Sequence, residues 1–173
     1  MSHFTKDFII DPAAGPETPP PGADPAETVM ALSAAKAEET ASRHPGDIVI
    51  GSDTVVELDG NILGKPADEE DAFRMLRALS GREHRVYTGV TLVRDGERVS
   101  EAEMTRVFFR PLSDREIRAY TASGEPMDKA GAYGYQGLAG VFVERIEGDF
   151  FNVVGLPLCR LGRMLASMGV DLL

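Results

Sequence analysis

Two apolar, β-branched runs between His84 and Phe109 flank Asp95-Gly96, a pair whose tolerance of positive φ makes it the strongest hairpin turn in the chain. A hairpin of that length commits the protein to a sheet, which Pro111 ends. A second run, Asp47 to Val56, reads as a buried strand with the polar triplet Ser52-Asp53-Thr54 inside it. Two shorter strands are predicted at Val141 to Ile146 and Phe150 to Val154, and a further one at Phe8 to Ile10, ahead of a Pro- and Gly-rich loop. No internal repeat is visible.

Helices are signalled between these strands. Asp24-Pro25-Ala26-Glu27 combines an N-cap, a proline at the first helical position and a carboxylate at the third, opening a helix to about Arg43. Val29, Leu32, Ala35 and Lys36 recur at helical spacing, which puts Lys36 at the border of the buried face. Asp68 caps a second helix with Ala72, Met75, Leu76 and Leu79 on one face and Gly81 at its stop, and the Ser113 to Glu116 capping box opens a third. A last helix runs from about Pro157 to Met168. Hairpins mixed with helices predict an α/β fold with a mixed sheet and flanking helices, and 173 residues support a single domain over 1–173.

Charge and cysteine content narrow the function classes. The formal charge of −10 and a pI near 4.8 argue against a surface that tracks nucleic acid. A lone Cys159 excludes an internal disulfide and a zinc cluster, and fits a reducing compartment. His3, Lys6 and Asp7 interrupt any apolar leader, and no run is long enough to span a membrane, so a cytoplasmic protein without membrane partners is expected.

Three features carry candidate chemistry. Asp53 within an apolar strand needs a cation, a metal or solvent if it is not simply bonded into a turn. Ser52 and Thr54 add polarity beyond what one turn requires. Lys36 and Lys65 are either solvated charges or two cations reserved for an anionic ligand; Gly64-Lys65-Pro66 is not a P-loop, because it lacks the upstream glycine and the Ser or Thr after the lysine. The segment Gly124 to Gly140 brings backbone N–H groups within reach of a ligand, with Tyr133, Tyr135 and Gln136 able to recognise a base edge, or else it is a compact loop packed by its own tyrosines. His3, His44, His84 and Cys159 read as structural.

The order of Ser52-Asp53-Thr54-Val55-Val56, Gly64-Lys65-Pro66, Leu79-Ser80-Gly81 with His84, Thr88-Gly89-Val90, Gly124-Glu125-Pro126 with Gln136-Gly137, and Asn152 to Leu158 resembles the Maf family of nucleoside triphosphate pyrophosphatases. The resemblance implies an α/β fold with two lobes around a cleft, often homodimeric. It also implies hydrolysis of dTTP, UTP or modified pyrimidine nucleotides to monophosphate and pyrophosphate with a divalent cation, Mg2+ or Mn2+. Under it Asp53, Lys36 and Lys65 are catalytic, Thr54, Gln136 and Ser52 bind substrate, and Glu17 joins Asp53 at the metal. Thr54 after Asp53 resembles the branch acting on dTTP and UTP rather than 7-methyl-GTP.

Family members open with a strand and a Ser-x-Ser-Pro-Arg-Arg loop that by spacing from Glu17 would lie just upstream of Met1, and Phe8 to Ile10 is similar to their second strand. The resemblance therefore implies a chain short by one strand and one helix, about 5 and 12 residues, with sharply reduced or absent turnover if the start is genuine. The alternative expectation is a catalytically impaired nucleotide-binding or division-associated regulatory protein.

Overall fold

The computed structural model describes residues 8–172, so His3, Lys6 and Asp7 lie outside the described residues. Helix α1 spans Pro25–Ala41 and begins at a closed capping box, in which Asp24 accepts from Glu27 N at 2.8 Å while the Glu27 carboxylate accepts from Asp24 N at 3.0 Å. Strands β1 (Val49–Leu58), β2 (Asn61–Leu63), β3 (Glu83–Arg94), β4 (Glu97–Phe109) and β5 (Val143–Glu147) form one sheet in the order β2-β1-β3-β4-β5. Helices α2 (Glu69–Leu79), α3 (Asp114–Thr121), α4 (Phe150–Val153) and α5 (Leu158–Ser167) complete the α/β architecture, with 3-10 turns at Glu125–Asp128, Ala130–Ala132 and Leu138–Phe142.

The structure refines four expectations. All four ladders are antiparallel, where a mixed sheet was expected: tight turns join β1 to β2 and β3 to β4, and the longer connections through α2 and through α3 return β3 and β5 antiparallel to their neighbours. Phe8 to Ile10 belongs to no ladder and is exposed, not a strand. Phe150 to Val154 is a single helical turn, since Asp149 caps it through Phe151 N at 2.7 Å and Asn152 turns into the interior. On α1, Ala35 is exposed; Val29, Leu32 and Ala37 form the buried face, with Lys36 at its border as expected.

The sheet separates two environments. On one side α1 lies directly on the backbone at Gly51 and Gly89: a Cβ at Gly51 would sit 2.8 Å from Ala37 N, and one at Gly89 would sit 2.8 Å from Met30 N and fall onto the Val29 carbonyl. On the other side two apolar clusters form, one around Val56, Leu76, Val86, Ile117 and Tyr133, the other around Val90, Leu92, Leu161 and Met164. Between the clusters runs a buried polar chain. Thr54 and Thr88 share a hydroxyl contact of 2.8 Å, Thr88 Oγ1 donates to Asn152 O at 2.9 Å, and Asn152 Nδ2 donates to Val86 O and Thr105 Oγ1, both at 3.0 Å. This chain fastens α4 to the middle of the sheet.

His84 is structural. It is buried against the Phe109 and Tyr133 rings, with Nε2 2.8 Å from the Tyr133 hydroxyl, and burial pushes its imidazole down to about 4. The neutral tautomer protonated at Nε2 donates to Tyr133 and leaves only a lone pair at the partnerless Nδ1. His44 anchors the segment before α1 by contacting Asp11 Oδ2 at 2.8 Å, and Cys159 is exposed. Among the described residues no helix is long and apolar enough to cross a membrane.

Candidate active site

Side chains alternate across a strand, so the polar triplet of β1 is split between two faces. Asp53 shares the face of Gly51 and points toward α1, where the helix comes close enough for Lys36 Nζ to donate to Asp53 Oδ1 at 2.6 Å. Ser52 and Thr54 point the other way. Ser52 Oγ shares its hydrogen between Gly89 O at 3.1 Å and Gly155 O at 2.8 Å, and Thr54 joins the Thr88 chain. Both hydroxyls thus brace the Asn152 to Gly155 segment that forms one wall of the cleft.

The second carboxylate arrives from the loop before α1. Glu39 on α1 accepts from Ala14 N at 2.8 Å and Gly15 N at 2.9 Å, which ties this loop along the helix. Two residues on, Glu17 Oε1 lies 2.7 Å from Lys36 Nζ, and Glu17 Oε2 lies 3.9 Å from Lys65 Nζ. Lys65 stands in the turn that follows β2 and is largely exposed. Glu17, Lys36, Asp53 and Lys65, the four residues that the family resemblance singled out, therefore lie in one cluster.

The electrostatics of this cluster are set by burial. The Asp53 side chain is only 9% exposed, and burial raises its pKa above the ordinary value of 3.8 against the pull of Lys36. Burial also works against the Lys36 ammonium, but hydrogen bonds to Asp53 and Glu17 outweigh it and hold its pKa above the usual lysine value. Glu17, half in solvent, is lowered by its hydrogen bond from Lys36. The result is a buried carboxylate with raised proton affinity beside a firmly charged cation.

The cluster opens into a cleft of about 1020 Å³. β2 covers only Val56 to Leu58 of β1, and among the described residues no strand pairs the outer edge of β1 from Val49 to Val55. The cleft wraps this edge, with Leu32, Lys36 and Asp53 on one side and Ala130, Tyr133 and Gly155 on the other. Tyr135 and Gln136 line its far wall, Gln136 exposed and Tyr135 resting edge-on against Phe150 at 5.1 Å between centroids.

Several cleft residues escaped the sequence reading. Glu125, Asp128 and Lys129 line it too, with Lys129 Nζ 2.7 Å from Asp128 Oδ1. The adjacent charges of Asp128-Lys129 beside a glycine-rich stretch were the available signal. Thr88 and Asn152, behind the cleft wall, stand in blocks that carry the family resemblance, but single polar residues in apolar runs do not disclose a buried chain that joins distant segments.

Comparison with known proteins agrees with this geometry. A family model described as "Maf-like protein" matches residues 1–168. A protein of Koribacter versatilis is 50% identical over 163 residues, covering 94% of this chain and 84% of that protein. One of Pelotomaculum thermopropionicum is 50% identical over 168 residues, 96% of this chain and 88% of its own. One of Thermococcus gammatolerans is 50% identical over 173 residues, 100% of this chain and 91% of its own. All three are named dTTP/UTP pyrophosphatase. A family match over nearly the whole chain, together with relatives at this identity and coverage, places the protein among the Maf-like proteins.

Proposed function

We propose that the protein is a nucleoside triphosphate pyrophosphatase that converts dTTP and UTP to the monophosphate and pyrophosphate. The observation that carries this reading is the Glu17, Lys36, Asp53 and Lys65 cluster at the unpaired edge of β1, facing the Tyr135-Gln136 wall across a nucleotide-sized cleft. The name shared by relatives at 50% identity supports the same substrates.

Asp53 takes the proton of a water that attacks the α-phosphorus, and its raised proton affinity suits that task. The new P–O bond forms as the bridging bond between the α- and β-phosphates breaks, and the bridging oxygen leaves with pyrophosphate. Lys36 and Lys65 offset charge on the phosphate chain. Ser52 and Thr54 hold the Asn152 to Gly155 wall against the substrate, and Gln136 meets the base edge.

A divalent cation fits this donor set. Glu17 and Asp53 reach the same ammonium at 2.7 and 2.6 Å, so two carboxylates converge, and among the described residues no group of three or more His, Cys, Asp or Glu forms a closed metal centre. Such an all-oxygen pair suits Mg2+ or Mn2+, hard ions that are commonly held by one or two carboxylates, substrate phosphates and water. Glu17 and Asp53 would hold it, and it would neutralise charge on the triphosphate.

The test is pyrophosphate release from dTTP, UTP, CTP and 7-methyl-GTP at equal concentration with Mg2+. We expect dTTP and UTP to exceed the other two by about tenfold or more in kcat/KM, equivalent to one or more lost base contacts. Binding of dTTP without any release would contradict the reading.

A further inference from the structure

An acidic side chain is out of place in a cleft meant for a polyanion unless its charge is already engaged, and Glu125 meets that condition. It begins the 3-10 turn after Gly124, whose φ of 76° lets the chain reverse out of α3. Its Oε1 accepts from the Tyr120 hydroxyl at 3.0 Å and its Oε2 accepts from Leu138 N at 3.0 Å. The Tyr120 oxygen in turn accepts from Gly134 N at 3.3 Å.

These contacts hold both ends of a single turn. Gly137 N donates to Gly134 O at 3.1 Å, so residues 134 to 137 form a tight loop with Tyr135 and Gln136 at its tip. Tyr120 is a fixed post, 4% exposed on α3 and packed edge-on against Phe142 at 5.2 Å. Burial keeps its phenol protonated well above the ordinary range. A Cβ at Gly137 would fall within 2.6 Å of Glu125 Oε2, so the carboxylate occupies space that only glycine leaves free. Gln136 is exposed, and its pose therefore depends on the backbone that carries it.

We propose that Glu125 is a positioning residue for base selection, clamping the Gly134 to Leu138 turn together with Tyr120 so that Tyr135 and Gln136 are presented to the nucleobase. The proposal rests on the reading of the cleft as a pyrimidine nucleotide site. Glu125 acts through the turn and touches neither the phosphates nor the attacking water. Its loss therefore weakens recognition of the base more than the chemical step.

Two readouts on Glu125→Ala, Glu125→Gln and Tyr120→Phe test it. The first is amide hydrogen exchange, which is independent of activity. In Glu125→Ala the Leu138 amide, which loses a charged acceptor, should exchange about tenfold faster or more, and in Tyr120→Phe the Gly134 amide, which loses a neutral phenol acceptor, should exchange about fivefold faster. The second is steady-state kinetics. Glu125→Ala should raise KM for dTTP and UTP about tenfold with kcat within about threefold, and should narrow the preference over CTP. Glu125→Gln should restore both readouts, because its amide oxygen accepts from Leu138 N while its NH2 donates to Tyr120.

Unchanged exchange and KM in Glu125→Ala would overturn the clamp. A collapse of kcat in Glu125→Ala and Glu125→Gln alike would overturn positioning in favour of a direct role for the charge. Wild-type protein without turnover of any pyrimidine triphosphate would overturn base selection by overturning the reading it rests on, and the exchange arm distinguishes that failure from failure of the clamp.

Discussion

Replacing Asp53 with Asn is expected to lower kcat/KM for UTP by about a thousandfold, the scale at which a positioned general base contributes. The side chain keeps its shape and can still accept from Lys36, but it can no longer take the water's proton. The fold should survive. Burial already disfavours the Asp53 charge, and Lys36 keeps Glu17 at 2.7 Å, so no cation is stranded by the change. A rate for Asp53→Asn within tenfold of wild type would move the base elsewhere.

The second large effect is on stability. Gly89 pairs with Asp53 across the β1 and β3 ladder, and α1 passes so close that a Cβ there would collide with the Val29 carbonyl and Met30 N. Backbone cannot rotate aside as a side chain can, so Gly89→Ala must lift α1 from the sheet. Overpacking of this kind costs about 3 kcal/mol or more. For a chain of this size that lowers Tm by roughly 10 °C. Lys36 rides on α1, so the same displacement should weaken its 2.6 Å contact with Asp53 and reduce activity in the fraction that folds. A Gly89→Ala protein with wild-type Tm would show that the helix does not rest on the strand as described.

The parts of this architecture legible in the sequence were those encoded locally. The Asp95-Gly96 turn and the caps at Asp24, Asp68 and Ser113 each depend on residues within four positions, and each stands where it was expected. Asp53, Lys36, Glu17 and Lys65 were traceable because a charge inside an apolar strand demands partners and family resemblance supplied their positions. What escaped depends on distant segments. Phe150 to Val154 has the β-branched and aromatic look of a strand, yet the contact of Asn152 with Val86 and Thr105 and the cap at Asp149 fold it into a helical turn. Ser52 and Thr54 looked like companions of Asp53, whereas strand alternation turns them to the opposite face. Glu125 and Tyr120 are five residues apart, but their purpose appears only when Leu138 and Gly134 fold back onto them. Gly51 and Gly89 likewise gave no warning that a helix would lie on them.

In the proposed reaction the cleft directs water to the α-phosphorus and releases pyrophosphate intact. Turnover of UTP in water enriched in 18O, followed by mass spectrometry of both products, tests it most directly. One 18O is expected in each UMP and none in pyrophosphate. Label in pyrophosphate, or release of inorganic phosphate with UDP, would contradict it.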